Sequence, residues 1–483
     1  MTVGAGWLAG SRIASQVVQF GAGIVLARLL TPSDFGLLAS IYVITGFSVL
    51  FFDLGLGGAL VQNQHPTAED ENTVFWVNAL GGLVFVALFS AAGPPIADVF
   101  NAPRLIRLAP LAALPFTLSI GVVQIATLQR RLQMRVLAVL ELVTSAVGMA
   151  AGVCAAALGA GVYSLTLAPI VQSTLMSAWL WTHFPWRPTG FLDRAAGRRL
   201  WRFSGGQLGF NVVNYWSRNA DNFLVGRYLG AATLGFYNRG YNLMLLPVQQ
   251  VSQVLVRVMM PALAAVKDDH PRAGRAYSRA VALVDALAVP LLVGLAATAP
   301  SLVPFLWGPR WVPTVPLLQV LCIAGVPQCA LASVGWLFQS QNRTGLMFRV
   351  GSASAALGVL LMVAGLHWGV RGVAVAVLAT SWLSLVPELY FACRLIDLPL
   401  RRVLRTIVGV GLAGAVMAAA VWWTPTVLGL DRTRGAALAV QVLVGAVVYV
   451  PALRLTEPAV FADVARLLRR LAGRLRQHRS ARA

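Results

Sequence analysis

Most of the chemistry-bearing residue types are scarce in this chain. Lysine occurs once, at Lys267, outside any Gly-x4-Gly-Lys-Ser/Thr arrangement that would cradle nucleotide phosphates, so the chain holds no P-loop for direct use of ATP. The five histidines, His65, His183, His270, His367 and His478, are far apart in sequence. Cys154, Cys322, Cys329 and Cys393 sit in apolar stretches without Cys-x-x-Cys spacing. These patterns point away from a metal site, and no cofactor is expected; the cysteines read as packed thiols. Charged residues make up only 11% of the chain, far below the roughly 25% of an average soluble protein. No stretch between apolar runs is long enough for a soluble catalytic domain. The N-terminus lacks the basic region and small-residue cleavage site of a signal peptide, so its first apolar stretch is expected to stay as a helix.

What is present is hydrophobic. Apolar residues reach 58% and the mean hydropathy is +0.73, which defines an all-α polytopic membrane protein. Read by length and by their breaks, the apolar stretches give about fourteen transmembrane helices, the first over 7–30 and the last over 435–455. Spans at 35–61, 73–99, 106–127 and 403–424 are among them. A net charge of +21 would suggest nucleic acid in a soluble domain, but here it lies in the loops. With a cytoplasmic N-terminus, 26 basic residues fall on the cytoplasmic side and eight on the other. One span more or fewer would scramble that asymmetry, so it supports both the count and cytoplasmic placement of both termini. The acidic loop Gln62 to Asn72 is the one exception.

The chain also repeats itself. Arg28 in LARLLTPSDFG aligns with Arg227 in VGRYLGAATLG at an offset of 199, which also pairs Gly10 with Gly209, Gly36 with Gly235 and Tyr42 with Tyr241. Pro103-Arg104 pairs with Pro309-Arg310, and Gly161-Val162 with Gly369-Val370. Two copies of six helices, having an even number of spans, share one orientation, related by an axis along the membrane normal. The expected layout is a six-helix lobe over 1–182, a cytoplasmic linker over 183–202, a second six-helix lobe over 203–396, and two additional helices over 397–456. A basic amphipathic tail follows over 457–483, with Val460, Val464, Leu467, Leu468, Leu471 and Leu475 as its apolar stripe.

Polar residues inside the spans are candidates for the site. Asn211, Asn214, Arg218, Asp221 and Asn222 recur at helical spacing on one face of the seventh span. The first span offers Arg12, Gln16 and Gln19, and the eighth offers Asn242, Gln253 and Arg257. An arginine near mid-membrane costs roughly 2.5–3.5 kcal/mol on insertion scales, and such residues face a bundle interior or wet cavity. The expectation is a cationic, amide-rich lining. Asp53, Asp221 and Asp285 are the carboxylates in apolar surroundings and the candidates for ion coupling. Competing structural roles are a neutralising Arg218–Asp221 bridge, and a helix–helix hydrogen bond or cap for the other two.

At LARLLTPSDFG over 26–36, FDLGLGGALVQ over 52–62, DNFLVGRYLG over 221–230 and LPVQQ over 246–250, the chain resembles bacterial polysaccharide flippases of the multidrug/oligosaccharidyl-lipid/polysaccharide superfamily. The similarity runs from about residue 7 to 400. It implies two six-helix lobes around a central cavity, moving an undecaprenyl-diphosphate-linked oligosaccharide to the outer leaflet of the cytoplasmic membrane by alternating access. It also implies membrane lipids as surroundings and the polymerase and glycosyltransferases of the same pathway as further partners. No nucleic acid partner and a monomer are expected. The rival within transport is an ion-coupled multidrug exporter, which favours acidic groups for cationic drugs. A membrane polymerase or ligase would carry a large outer catalytic loop, and a scaffold would not need charges at mid-membrane.

Overall fold

A computed structural model describes residues 2–52, 56–62, 66–193, 208–266, 269–431, 435–466 and 469. Every regular element among them is helical. The chain divides into two compact units, Met1–Phe236 and Tyr237–Ala483.

In the first unit the elements are α1 (Thr2–Leu29), α2 (Pro32–Phe52), α3 (Leu56–Gln62), α4 (Ala68–Ala91), α5 (Gly93–Phe100), α6 (Leu105–Leu118), α7 (Val122–Arg130), α8 (Met134–Ala157), α9 (Tyr163–His183) and α10 (Leu208–Leu229). Lipid gives helices no hydrophobic reason to associate, so small residues that admit close backbone approach set the contacts. On α8, a Cβ at Gly148 would stand 2.5 Å from the Ala168 carbonyl of α9, and one at Gly152 would stand 3.0 Å from the Ser164 carbonyl. Ile41, Phe85, Phe89, Leu105 and Leu108 form the main buried cluster of this unit.

The single span expected over 106–127 is broken. α6 and α7 meet at a 46° bend around Ser119–Gly121. Pro110 and Pro115 lie inside α6, and each removes a backbone donor. At the break, side chains of α9 satisfy two carbonyls: Ser177 Oγ donates to Leu118 O at 2.5 Å and Trp181 Nε1 to Ile120 O at 3.0 Å. Non-helical backbone at membrane depth persists where such partners or a cavity surround it.

The acidic loop that departs from the charge rule has a structural reason. Thr67 and Asp70 form a reciprocal capping box at the start of α4, which places Glu69, Asp70 and Glu71 in a first turn where negative charge favours the helix. Asn72 then holds the linker, its Nδ2 donating to Thr189 Oγ1 at 3.3 Å and its Oδ1 accepting from Thr189 N at 3.1 Å. Trp76 Nε1 donates to Gly190 O at 2.9 Å. The linker residues up to 193 are thus tied to α4; those from 194 to 202 lie outside the described residues.

α11 (Ala231–Ala265) carries the chain from the first unit into the second. The second unit continues with α12 (His270–Trp307), α13 (Thr314–Ser340), α14 (Thr344–Gly365), α15 (Gly369–Arg394), α16 (Leu400–Val427) and α17 (Gly435–Thr456). α12 is its axis, and α13, α16 and α17 pack on it. Gly414 of α16 lies against Val289, and Tyr449 of α17 donates to Ala286 O at 2.9 Å. A short helix over 458–466 follows, tied back by an Arg279–Asp463 ion pair at 3.2 Å and by buried Val460. The rest of the predicted tail stripe, from Leu467 on, falls outside the described side chains.

Candidate functional site

α10 carries the polar stripe, and the structure divides it along the helix axis. Asn214, Ser217 and Arg218 are exposed and Asn211 is half-buried, while Asp221 and Asn222 are only 3% and 5% exposed. Helical spacing fixes the angle of a residue around its axis, but burial depends on what lies alongside, and there α10 packs on α2 and α5. Tyr215 donates to Val43 O at 2.7 Å, and Phe47, Trp216, Phe223 and Phe100 form a run of ring contacts spaced 5.3–5.7 Å. The exposed polar half of the helix is therefore held from behind by aromatics.

The expected alternative of an Arg218–Asp221 bridge does not form: among the described residues no ion pair joins them. Asp221 Oδ1 instead accepts from the backbone N–H of Asn222 at 2.7 Å and from its Nδ2 at 3.2 Å. Arg218 presents an uncompensated positive charge beside Asn214 and Ser217.

The other candidates separate. On α1, Gln16 and Gln19 are exposed, and Gln19 Nε2 donates to Ser145 Oγ of α8 at 3.3 Å. On α11, Asn242 is exposed and donates to Asn238 Oδ1 at 2.8 Å, so the two amides one turn apart act as a pair. The side chains of Arg12, Gln253 and Arg257, and the whole of Asp53, lie outside the described residues.

Asp285 is the most isolated carboxylate. It is 1% exposed at the middle of α12, and among the described residues neither oxygen has a hydrogen-bond partner. Burying a carboxyl without a partner costs free energy in either protonation state and far more when it is ionised.

The sequence reading missed Glu388, and it placed Arg239 near a span end without its partners. Glu388 of α15 accepts from Ser354 Oγ of α14 at 2.6 Å, across the two helices. Its signal was visible, since it is the one acidic residue within 369–393. Arg239 of α11 lies over the rings of Trp307 and Trp311, at 5.6 and 6.0 Å from their centroids. Cation–π contact of this kind depends on tertiary placement that spacing does not reveal.

Eight helices among the described residues are long and apolar enough to cross a membrane. They define a multi-pass, all-helical membrane protein. The solved structure of "Lipid II flippase MurJ, inward closed conformation" has this fold: TM-score 0.74, 14% identity, covering 93% of this chain and 98% of that one. The family model described as "Polysaccharide biosynthesis protein" matches residues 25–316, more than half of the sequence, and the chain belongs to that family. Among curated relatives, the teichuronic acid biosynthesis protein TuaB of Bacillus subtilis is 24% identical over 362 residues, covering 74% of each chain. The lipopolysaccharide biosynthesis protein WzxC of Escherichia coli is 28% identical over 380 residues, covering 75% of this chain and 74% of that protein.

Proposed function

We propose that this chain flips an undecaprenyl-diphosphate-linked oligosaccharide repeat unit across the cytoplasmic membrane by alternating access, for the synthesis of a surface polysaccharide. It acts as a transporter with both termini cytoplasmic, and its organisation is two six-helix lobes followed by two additional helices. Membership of the polysaccharide biosynthesis family supports the class of cargo. The single observation that carries the mechanism is Arg218: exposed, free of any carboxylate partner among the described residues, and flanked by Asn214 and Ser217 on α10. A diphosphate is recognised by charge-assisted hydrogen bonds from a guanidinium, and the hydroxyls next to it by amides. Arg12, Gln16, Gln19, Asn211, Asn222, Asn242, Gln253 and Arg257 complete the proposed lining. Asp285, with Asp221 and Asp53, is proposed to couple transport to an ion gradient.

The test is glycan export measured beside protein abundance. Arg218→Lys is expected to keep part of the export, while Arg218→Ala and Arg218→Glu abolish it at normal abundance. If Arg218 serves only Asp221, the single neutralisations make the protein scarce and the double variant Arg218→Ala/Asp221→Ala regains both abundance and export. That result would remove Arg218 from substrate binding.

A further inference from the structure

The first unit encloses a cavity of about 430 Å³, set against the break between α6 and α7. Ligand pockets commonly hold roughly 300–1,000 Å³. Five glycines, Gly57, Gly58, Gly81, Gly82 and Gly121, remove side chains from its wall. At Gly58 a Cβ would meet nothing within 4 Å, so this position looks into open space.

The polar lining has one character. Asn78, Ser119, Gln129, Ser173 and Ser177 face the cavity, and among the described residues no charged side chain does. The three serine hydroxyls already donate to the carbonyls of Pro115, Pro169 and Leu118, which leaves their oxygens as acceptors. Both carboxamides are unused: among the described residues neither Asn78 nor Gln129 has a hydrogen-bond partner, and Asn78 Oδ1 is buried in that condition. A turn of the amide about its last bond brings either end to the cavity. Phe85 and Phe116 supply aromatic surface beside these groups.

Among the described lining residues an anionic headgroup would find no cation, and a cationic drug no carboxylate. A polyprenyl or acyl chain would leave the two carboxamides unpaired. A neutral pyranose meets all three features: hydroxyl donors for the serine oxygens, donor–acceptor hydroxyls for the two amides, and a face of C–H groups for the phenylalanine rings. We propose that this cavity holds one neutral sugar residue of the lipid-linked glycan, bonded by Asn78 and Gln129, at a place separate from the Arg218 stripe. The proposal rests on the flippase reading above.

The test compares soluble short-chain probes on the purified full-length protein in nanodiscs: farnesyl diphosphate alone, and farnesyl diphosphate bearing glucose, galactose or N-acetylglucosamine. Wild-type protein is expected to bind at least one sugar-bearing probe about tenfold more tightly than the bare diphosphate, as 1.4 kcal/mol from two amide contacts would give. Gly58→Leu, which fills the void without a backbone clash, should erase that difference and leave farnesyl diphosphate binding within about twofold. Asn78→Ala and Gln129→Ala should each erase part of it. Equal loss for bare and sugar-bearing probes in Gly58→Leu overturns the sugar site, as does wild-type protein that does not distinguish them. A wild type that binds none of the probes, including the bare diphosphate, overturns the flippase reading instead.

Discussion

Two glycines aligned by the repeat meet a reciprocal environment. A Cβ at Gly36 would lie 1.6 Å from the Ala231 carbonyl oxygen, and one at Gly235 would lie 1.9 Å from the Pro32 carbonyl oxygen. Pro32 and Ala231 are themselves related by the offset of 199, so the first turns of α2 and α11 cross as a quasi-symmetric pair in which each glycine touches its partner's backbone. Neither neighbour is a flexible side chain that can yield. Gly36→Ala and Gly235→Ala are therefore each expected to cost about 1–3 kcal/mol by overpacking, read as a lowered unfolding midpoint in detergent. Gly351→Ala, whose Cβ meets nothing within 4 Å, is the control and should be neutral or stabilising. Asp285 belongs to the same scale. Its asparagine isostere keeps the shape and removes the titrating group, so Asp285→Asn should accumulate normally while export falls about tenfold or more, a loss of at least ~1.4 kcal/mol. Export at the wild-type level would assign Asp285 to packing.

Elements were legible in the sequence where a local rule set them, and hidden where neighbours did. The starts of α9 and α15 follow Gly161 and Gly369, matched by the repeat, and both have positive φ, 56° and 67°, which glycine adopts without strain. The break at Ser119–Gly121 was invisible to hydropathy because the apolar run continues through it; what permits it is Ser177 and Trp181 on another helix. The stripe on α10 follows helical spacing, but the change from exposed Arg218 to buried Asp221 comes from packing against α2 and α5. The polar cavity gave no sequence signal, since Asn78 and Gln129 lie on different helices and share no spacing. The two terminal helices show what tertiary packing adds. The family model ends at residue 316, yet α16 and α17 bury the α12 face around Ala286 and Val289. Truncation after Pro399 should strip that cover and make the protein scarce. Truncation after Thr456 removes the 458–466 helix and an Arg279–Asp463 pair of about 0–1 kcal/mol as an exposed bridge. That shorter protein should retain export, and immunoblotting beside a surface-glycan assay distinguishes the two cases.

For the whole molecule, the repeat and the charge asymmetry make one joint claim about orientation. If each copy contributes an even number of spans, equivalent loops of the two copies lie on the same side of the membrane. Arg104, before α6, and Arg310, before α13, are such equivalents; Arg272, at the start of α12, and Arg401, at the start of α16, fall on the opposite side. The broken span tests the count severely. Were α6 and α7 to form a re-entrant hairpin in place of one bent crossing, every loop after residue 130 would change sides and 26 basic residues could no longer collect with the N-terminus. Arg104 precedes the break and Arg310 follows it, so the pair reads the outcome directly. Cysteines placed singly at Arg104 and Arg310, in a chain whose four native cysteines are replaced, should both react with an impermeant maleimide in intact cells. Those at Arg272 and Arg401 should react only after permeabilisation. Labelling of Arg104 but not Arg310 from outside would mean that the break turns the chain back, and that the two copies face opposite ways.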